Sequence, residues 1–488
     1  MRRPHADPGK LPIVTSETPT ATALCIDLDG TLIHTDLLME SALALLHRNP
    51  LYAFAMVAWL LRGRAVLKRE IARRVEIDAA TLPYDKSILQ LIDEARGQRE
   101  VVLVTASDEL LASQVMQHLG TFDAMVASDG ATNLSGGAKA RALIARFGER
   151  GFDYAGNATV DLKVWAHARK AIVVGSTSLA RAAARQTEVA MHVRPRHGGL
   201  KTWLKALRIH QWIKNLLIFL PVLASHRMFD LVAVTATVAA FVCFGLCASG
   251  VYVLNDLLDL KADRHHPRKR RRPFAAGKLS PLSGIVVAVT LTVLAFAGAW
   301  FVADRFAKIL LCYYVLTQAY SFKLKRIAML DVVVLAALYT VRIIAGTAAL
   351  HAEPSFWLLA FSMFIFLSLA ILKRYTELHT MRLGGKAAAS GRGYNVEDLV
   401  LLQALGGASG YLSVLVLALY INSPASVALY SHPAWLWILC PVLLYWISRA
   451  WMIAHRGLMH DDPVVFAVTD RISQVLLVIC AIIVAGAI

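Results

Sequence analysis

The chain has 488 residues, 57% of them hydrophobic and 17% charged, with a net charge of +17. So apolar a chain buries enough surface to offset its ordering entropy, which excludes intrinsic disorder, and its length favours two or three domains. The basic excess lies beyond residue 200, where 27 Lys and Arg face 13 Asp and Glu, against 24 and 21 before it. Because that half is also the apolar one, we predict a membrane partner and no nucleic acid.

Residues 1–197 have the pattern of an α/β domain. Short β-branched runs alternate with helical stretches, as in a doubly wound parallel sheet. The runs are Ala23–Leu28, Val101–Thr105, Met125–Ser128 and Ala171–Val174. The apolar segment 51–61 is too short to cross a bilayer, so we expect a helix that caps the site and could touch the membrane surface.

Two carboxylates, Asp27 and Asp29, close the first predicted strand in the sequence Asp-Leu-Asp-Gly-Thr. Residues two apart on a strand point the same way, here into the loop where α/β sheets place their sites. One carboxylate can attack phosphorus while the other moves protons, and together they can hold Mg²⁺. The alternative is a simple Asp/Gly-rich turn.

The first domain resembles the haloacid dehalogenase (HAD) superfamily of phosphotransferases over most of residues 20–180. The resemblance implies that Asp27 is the nucleophile, Asp29 the general acid/base and Thr105 a phosphate-binding hydroxyl. It also implies that Lys139 neutralises the phosphoryl group and that residues about 33–100 contain a helical cap. The last motif, Gly-Asn-Ala-Thr-Val-Asp, departs from the family because Asn157 stands where an Asp is usual. The implied Mg²⁺ ligands are Asp27, Asp29, Asn157 and Asp161, with affinity lowered by the uncharged amide.

Residues 198–488 read as a membrane domain. Apolar runs long enough to cross a bilayer predict nine spans. They are 209–227, 231–254, 281–302, 306–322, 327–350, 355–373, 399–422, 434–454 and 472–488. Of the 27 basic residues beyond 200, 23 lie at the start of the first span, just before it, or in every second linker. The positive-inside rule therefore predicts a multi-pass protein of the cell (inner) membrane whose N-terminal domain is cytoplasmic.

The second span ends in an acidic motif followed by a basic tail. Asn255, Asp259 and Asp263 are spaced i, i+4, i+8, which predicts one helix face that holds Mg²⁺ bridging a diphosphate. Asp256 lies within this motif, and Arg264 and Arg271 belong to the basic stretch after it. We expect these three to contact substrate phosphates, although the basic residues could be topological anchors alone.

A second group of polar residues falls around the fourth and fifth predicted spans. Asp331 and Arg342 lie about three helical turns apart and so share a face. Ionisable groups in a span suggest function, with a structural ion pair between helices as the alternative. The further candidate phosphate contacts are Lys214, Tyr320, Lys325 and Lys373. For Asp461 and Asp462 we expect a helix cap.

The membrane half resembles the UbiA-type prenyltransferase superfamily. The nine spans and Asn255-x₃-Asp259-x₃-Asp263 carry the resemblance. Members with aromatic acceptors have a second Asp-x₃-Asp after the fourth span, whereas this chain has Tyr320 and Lys325 there and no acid before Asp331. That departure is similar to the decaprenyl-phosphate phosphoribosyltransferase branch, as are the motifs at 211–215, 372–377 and 459–466.

The resemblance implies Mg²⁺-dependent transfer of 5-phosphoribose from phosphoribosyl diphosphate to a polyprenyl phosphate. Asp259 and Asp263 would hold the metal, and the fused HAD-like domain would remove the product's phosphate. Three alternatives stay open: an aromatic prenyltransferase that uses a polyprenyl diphosphate, with a regulatory HAD-like domain; a HAD-like domain without activity; and a transporter or scaffold. Prenyl chain length and homo-oligomerisation are also left open.

Overall fold

The computed structural model of the chain describes residues 22–194, 198–383, 393–459 and 462–488. Two compact units divide it. The first comprises Met1–Gly199 and Leu258–Leu282, and the second comprises Leu200–Leu257 and Ser283–Ile488. The units therefore separate close to the predicted boundary after residue 197, with the difference that the acidic and basic segment 258–282 packs with the first unit.

The first unit is a parallel α/β sheet, as the alternating pattern predicts. Its strands are β1 (Ala23–Asp27), β2 (Val101–Asp108), β3 (Ala124–Ser128), β4 (Phe152–Gly156), β5 (Lys170–Val174) and β6 (Glu188–Val193). Its helices up to residue 194 are α1 (Leu37–Arg48), α2 (Tyr52–Leu61), α3 (Arg64–Ala72), α4 (Lys86–Ala95), α5 (Glu109–Leu119), α6 (Gly137–Phe147), α7 (Leu162–Trp165) and α8 (Thr177–Ala184).

The strand order places β1 at the centre of the sheet. The order is β3-β2-β1-β4-β5-β6, and every pairing is parallel. The chain first builds outward from β1 through β2 to β3, and then returns to build from β4 on the other side. Ligands of open α/β sheets bind at the carboxyl ends of strands beside such a reversal. Asp27, the last residue of β1, therefore occupies the position where a site is expected.

Four helices, α1 to α4, lie between the first two strands. Ile88 and Ile92 of α4 are fully buried in the same apolar cluster as Leu24 of β1. That cluster also contains Leu37 of α1 and Ala72 of α3. Helix α4 therefore packs on the sheet together with these ends of α1 and α3, and the extent of the cap, about 33–100, stays a prediction.

From residue 200 onward the described chain is helical. The helices are α9 (Leu200–Ala206), α10 (Leu220–Ala224), α11 (Leu231–Leu258), α12 (Leu260–His265, within the first unit), α13 (Pro281–Val302), α14 (Asp304–Phe322), α15 (Leu330–Ala349), α16 (Phe356–Leu383), α17 (Leu399–Ile421), α18 (Pro424–Leu429), α19 (Leu439–His455), α20 (Pro463–Thr469) and α21 (Arg471–Ala487). Their apolar clusters lie between α15, α16, α17 and α19 and between α11, α13, α14 and α15.

Within the described residues, six helices are long and apolar enough to cross a membrane, or seven if a bent pair counts as one span. The prediction of nine spans is therefore not confirmed. The first predicted span is a 3₁₀ segment, Ile209–Phe219, followed by the five-residue α10. The fourth, α14, carries Asp304, Arg305 and Lys308 in its first turns. The last is the α20–α21 pair, bent by 75°. A count of apolar residues does not detect the 3₁₀ geometry, the charged first turns of α14 or the bend between α20 and α21.

Candidate functional site

The first carboxylate site lies where β1 ends. Asp27 closes the strand, and the chain turns at once at Gly30, whose φ is +76°. A Cβ at Gly30 would lie 2.0 Å from Nδ2 of Asn157, the residue that follows β4. Glycine is therefore required both for the left-handed turn and for the close approach of Asn157. The sheet thus brings Asp27, Asp29 and Asn157 to one edge, as the motifs predict.

Asp27 is paired with Lys139 from α6. The lysine Nζ lies 2.8 Å from Asp27 Oδ1, and both side chains are buried. Thr31 Oγ1 donates to Asp27 Oδ2 at 3.3 Å. Burial raises the pKa of Asp27 to about 6, against the lowering effect of Lys139. The Asp27 carboxylate is thus held beside a cation, and it can still bind a proton at a pH close to neutral.

Asp29 accepts hydrogen bonds from three groups. Ser107 Oγ donates at 2.6 Å, the Leu37 amide at 2.8 Å and Thr105 Oγ1 at 3.5 Å. Burial, together with the negative charge of Asp36, raises the pKa of Asp29 to about 7. A carboxyl group with a pKa near neutrality can both give and take a proton, which is the property a general acid/base needs.

Asp161, a predicted metal ligand, has both side-chain oxygens in hydrogen bonds with the chain itself. Its Oδ2 accepts the amides of Asn157 at 3.0 Å and Ala158 at 2.9 Å, and its Oδ1 accepts Tyr154 OH at 3.1 Å. Tyr154 OH in turn accepts Lys139 Nζ at 2.9 Å. Asp161 therefore orders the loop after β4 and, through Tyr154, fixes the position of Lys139.

Sequence reasoning missed three polar residues of this site: Ser107, Tyr154 and Lys68. Ser107 stands two residues after Thr105 on β2, so period-two alternation could have identified it. Tyr154 is brought beside β1 by the register that pairs it with Cys25. Lys68 extends from α3 to Ala106 O at 2.5 Å and Asn133 Oδ1 at 2.7 Å. The last two contacts depend on tertiary structure and leave no local signal.

The donor set fits Mg²⁺ only with help from a substrate. Within the described residues, no group of three or more His, Cys, Asp and Glu side chains is placed to hold a metal ion. Mg²⁺ usually binds through one or two carboxylates and completes its shell with water and substrate phosphates. Asp27 and Asp29 suit that mode, since the acids at this site, which also include Asp36 and Asp161, outnumber the two lysines Lys139 and Lys68.

The Asn255–Asp263 motif is divided between the two units. On α11, in the second unit, Asp256 is buried and forms an ion pair with Arg208. Asn255 Oδ1 is buried and has no hydrogen-bond partner among the described residues. A buried acceptor without a donor is costly, and a cation or a substrate hydroxyl would satisfy it.

The predicted single helix through the acidic motif is interrupted. Helix α11 ends at Leu258 and α12 begins at Leu260, with Asp259 as its N-cap. Asp263 N still donates to Asp259 O at 2.8 Å, so the two aspartates remain one turn apart. Asp263 is buried, and Arg272 Nη1 lies 2.7 Å from its Oδ2.

The two predicted phosphate-binding arginines of this segment have different surroundings. Arg264 Nη1 donates to Glu40 Oε2 at 2.7 Å, and both side chains are buried. Arg271 lies in the 3₁₀ segment Lys269–Arg271 and is exposed. Arg264 thus links α12 to α1 within the first unit, whereas Arg271 remains exposed to solvent.

In the second unit, two predicted phosphate contacts share one acid. Asp462 forms an ion pair with Lys214, and Lys373 Nζ lies 3.8 Å from the same oxygen, Asp462 Oδ2. Asp462 Oδ1 also accepts the Val464 amide at 3.1 Å and so caps α20. Two lysines against one carboxylate leave a positive excess that would attract a phosphate. Asp461 lies outside the described residues.

Arg342 is enclosed by aromatic rings rather than by acids. Its guanidinium lies 5.2 Å from the ring of Phe244, 5.1 Å from Tyr313 and 5.6 Å from Tyr339. Its Nε donates to Asn215 Oδ1 at 2.9 Å. Cation–π contacts of this kind hold a buried cation without cancelling its charge. Arg342 is therefore the residue of α15 best suited to an anionic ligand.

Asp331, at the other end of α15, is fully buried in contacts with the protein itself. It forms an ion pair with Arg374 of α16 and accepts a hydrogen bond from Tyr394 OH. Tyr320 OH accepts from Arg374 Nη2 at 2.9 Å. Asp331 thus forms the interhelical ion pair that is the alternative to a ligand role. Lys325 lies nearby in sequence, in the 3₁₀ segment Leu324–Arg326.

The first unit has a carboxylate site on a parallel α/β sheet. The second has several helices long enough to cross a membrane, and it contains buried cations. These features are those of a membrane-bound enzyme. The family model described as UbiA prenyltransferase family matches residues 216–484, more than half of the chain. The chain therefore belongs to the UbiA prenyltransferase family.

Three known proteins are similar to this chain to different extents. Uncharacterized protein y4nM of Sinorhizobium fredii is 38% identical over 454 residues, which cover 92% of this chain and 88% of that protein. Decaprenyl-phosphate phosphoribosyltransferase of Mycobacterium tuberculosis is 40% identical over 188 residues, 38% of this chain and 62% of that protein. A UbiA homolog from Archaeoglobus fulgidus, solved bound to GPP and Mg²⁺, matches with a TM-score of 0.44 and 15% identity, covering 58% and 97% of the two chains.

Proposed function

We propose that this UbiA-family protein transfers 5-phosphoribose from phosphoribosyl diphosphate to a polyprenyl phosphate at the cytoplasmic face of the cell membrane. The partial similarity to the mycobacterial decaprenyl-phosphate phosphoribosyltransferase supports this substrate pair. The orientation rests on the 23 basic residues that lie at the start of the first predicted span, just before it, or in alternate linkers.

The observation that carries the choice of substrate is the burial of Asp331. The aromatic-acceptor members of the superfamily have a second acidic motif after the fourth span, from which this chain departs. Here the first acid after that span is Asp331, which is fully buried and bound to Arg374 and Tyr394. A carboxylate engaged in this way is a poor second metal ligand. Tyr320 OH accepts from Arg374 but can still donate its own proton to a phosphate oxygen.

In the proposed transfer, a lipid phosphate oxygen bonds to the ribose C1 as the C1–O bond to the diphosphate breaks. The transition state resembles an oxocarbenium ion. Asn255, Asp259 and Asp263 would hold Mg²⁺, which when bound neutralises the leaving diphosphate. Lys214, Lys373 and Arg342 would position the anionic groups, and such preorganised charges supply much of the rate.

We further propose that the first unit, as a HAD-like phosphatase, removes the 5-phosphate from the lipid product. Asp27 attacks phosphorus and Asp29 protonates the departing ribose oxygen, after which water hydrolyses the aspartyl-phosphate with Asp29 as base. Lys139 and Thr105 bind the phosphoryl oxygens, and Asp27 and Asp29, with Asn157, would hold Mg²⁺. The raised pKa of Asp29, about 7, supports its proposed role.

Membranes containing the full chain test both steps. With labelled phosphoribosyl diphosphate and polyprenyl phosphate, we expect labelled lipid in the presence of Mg²⁺ and none after chelation. If the membranes instead join a polyprenyl diphosphate to an aromatic acid and leave phosphoribosyl diphosphate unused, the protein is an aromatic prenyltransferase. If neither pair reacts and Asp259→Asn changes no property of the membranes, the proposed transferase activity is wrong.

A further inference from the structure

Helix α2, in the insertion between β1 and β2, exposes an apolar surface that the described chain does not cover. None of its ten residues, all of them described, is buried. Tyr52, Met56 and Trp59 are half-buried on the side that packs against α1 and α3. On the opposite side, Phe54 is 76% exposed and Leu61 is 85% exposed. The inner side therefore packs α2 against its neighbouring helices, whereas no described residue covers the outer side.

The outer residues form one continuous stripe. Leu51, Phe54, Val57 and Leu61 follow one another at intervals of three or four residues, the spacing of a single helix face. Ala53 and Ala58 extend this exposed surface, and Leu60 lies at its edge. A helix that is apolar on every side is normally buried in a core or in a membrane. Since the described residues do not cover this stripe, we expect an apolar medium outside the chain to cover it.

The charges around α2 indicate which apolar medium covers the stripe. Between residues 48 and 74 there are seven Lys and Arg and a single acid, Glu70. Arg62 and Arg64 follow the helix directly and are exposed, and the Arg74 guanidinium lies 4.7 Å from the Trp59 ring. Apolar side chains flanked by arginines are the composition of helices that lie in the headgroup region of anionic bilayers. Ten residues span about 15 Å, half of the hydrocarbon core, so the helix cannot cross.

We propose that α2 lies in the surface of the same bilayer that holds the spans, with Leu51, Phe54, Val57 and Leu61 inserted among the lipids. The chain on either side of α2 reaches the carboxylate site. Before it, the Leu37 amide at the start of α1 lies 2.8 Å from Asp29 Oδ1. After it, Lys68 of α3 contacts Ala106 O on β2. Anchoring α2 therefore holds the carboxylate site at the lipid surface.

This anchoring identifies a substrate class for the site, an inference that rests on the proposed phosphatase function. A site held at the bilayer surface favours a phosphomonoester carried on a membrane lipid over the same group in solution. The substrate would then be delivered by lateral diffusion, and its phosphate would meet Asp27 without leaving the membrane.

Fluorescence quenching of the full chain in nanodiscs tests the anchoring directly. The nanodiscs contain phosphatidylglycerol and phosphatidylethanolamine, and Cys312→Ser with Cys480→Ser removes the two cysteines that are not buried. A fluorophore is attached to Phe54→Cys or Leu61→Cys. The matched control is Arg73→Cys, at an exposed basic position directly after α3. We expect nitroxide-labelled acyl chains to quench the two α2 probes at least threefold more than the control, and iodide to do the opposite.

Equal quenching by iodide at all three positions would overturn the anchoring, since α2 would then lie in water. Protection from both quenchers, with cross-linking between copies, would also overturn it, because a second copy of the chain would cover the stripe. Introducing Phe54→Asp with Leu61→Asp should move a probe at Val57→Cys from lipid to water.

The substrate class has its own measurement. We expect Phe54→Asp with Leu61→Asp to lower kcat/KM for the lipid-linked phosphomonoester by about tenfold, and to leave hydrolysis of soluble ribose 5-phosphate unchanged. An equal loss on both substrates would refute the substrate class. If the probes show α2 in lipid but neither phosphomonoester is hydrolysed, the anchoring stands and the proposed phosphatase function fails.

Discussion

The two acidic regions of the molecule balance their charge in different ways. In the first unit, four acids, Asp27, Asp29, Asp36 and Asp161, lie around two cations, Lys139 and Lys68. In the second unit three acids each have a basic partner: Asp256 pairs with Arg208, Asp331 with Arg374 and Asp462 with Lys214. A site with more acids than bases favours the binding of an added cation. In a site where each acid is paired with a base, an anionic substrate can bind the base and its metal ion can bind the acid.

The largest expected effect concerns the nucleophile of the acid-rich site. Asp27→Asn should lower phosphomonoester hydrolysis by about a thousandfold or more, because an amide cannot form the aspartyl-phosphate. Asp93→Asn makes the same chemical change on the exposed surface of α4 and should have no effect. Phosphate release and phosphoribosyl transfer are measured on the same preparations. Hydrolysis that survives Asp27→Asn would exclude this site as its source.

The next effect concerns the acidic motif that follows α11. Asp263→Asn should lower phosphoribosyl transfer by about a hundredfold, since it removes a carboxylate proposed to hold Mg²⁺ beside the diphosphate. Hydrolysis at the Asp27 site should be unaffected. The matched control is Asp304→Asn, an exposed acid at the start of α14. Transfer that is equal in both variants would mean that the motif is structural.

A third prediction concerns a gain in Mg²⁺ affinity at the first site. Asn157→Asp adds a carboxylate to the acid-rich site, so the Mg²⁺ concentration for half-maximal hydrolysis should fall about tenfold. The side chains are nearly equal in size, which preserves the close approach to Gly30. Asn422→Asp, at an exposed position in the second unit, is the control. An unchanged or higher Mg²⁺ requirement would show that residue 157 takes no part in metal binding.

The smallest effect is a dependence of stability on pH without Mg²⁺. The pKa values of Asp27 and Asp29, about 6 and 7, lie above the ordinary value of 3.8. Between these values the folded unit retains protons that the unfolded chain has released, so the free energy of unfolding falls as pH rises. Asp29→Asn should remove part of this loss, on the order of 2 kcal/mol at pH 8, and change nothing at pH 4.

Pulse proteolysis of the full chain in urea, at pH 4 and pH 8 with a chelator present, measures this difference. Asp93→Asn should retain the pH dependence of the parent. A parent protein that becomes more stable between pH 5 and pH 8 would contradict the raised pKa values.

The sequence predicts which residues meet at the end of β1 because the motifs that contain them are local. Asp27, Asp29 and Gly30 follow directly from one strand, and parallel strands bring Thr105 and Asn157 to the same edge. Tyr154 could not be foreseen, because its contact with Lys139 depends on the pairing of β4 with β1.

The second site is predicted less completely for two reasons. Hydropathy counts apolar residues but does not detect the 3₁₀ geometry of Ile209–Phe219 or the bend between α20 and α21. Charge pattern also cannot choose partners that are distant in sequence, such as Asp331 and Arg374. Asp331, which the sequence leaves open for a ligand, is thus already paired in the folded protein.

The most direct test of the account follows one substrate molecule through both sites. Phosphoribosyl diphosphate is labelled with ¹⁴C in the ribose and ³²P in the 5-phosphate, and is incubated with polyprenyl phosphate, Mg²⁺ and membranes that contain the full chain. The account predicts a lipid that carries ¹⁴C without ³²P, and with Asp27→Asn a lipid that carries both labels. A lipid that retains ³²P in the parent protein would contradict the coupled phosphatase, and a lipid without ¹⁴C would contradict the transferase.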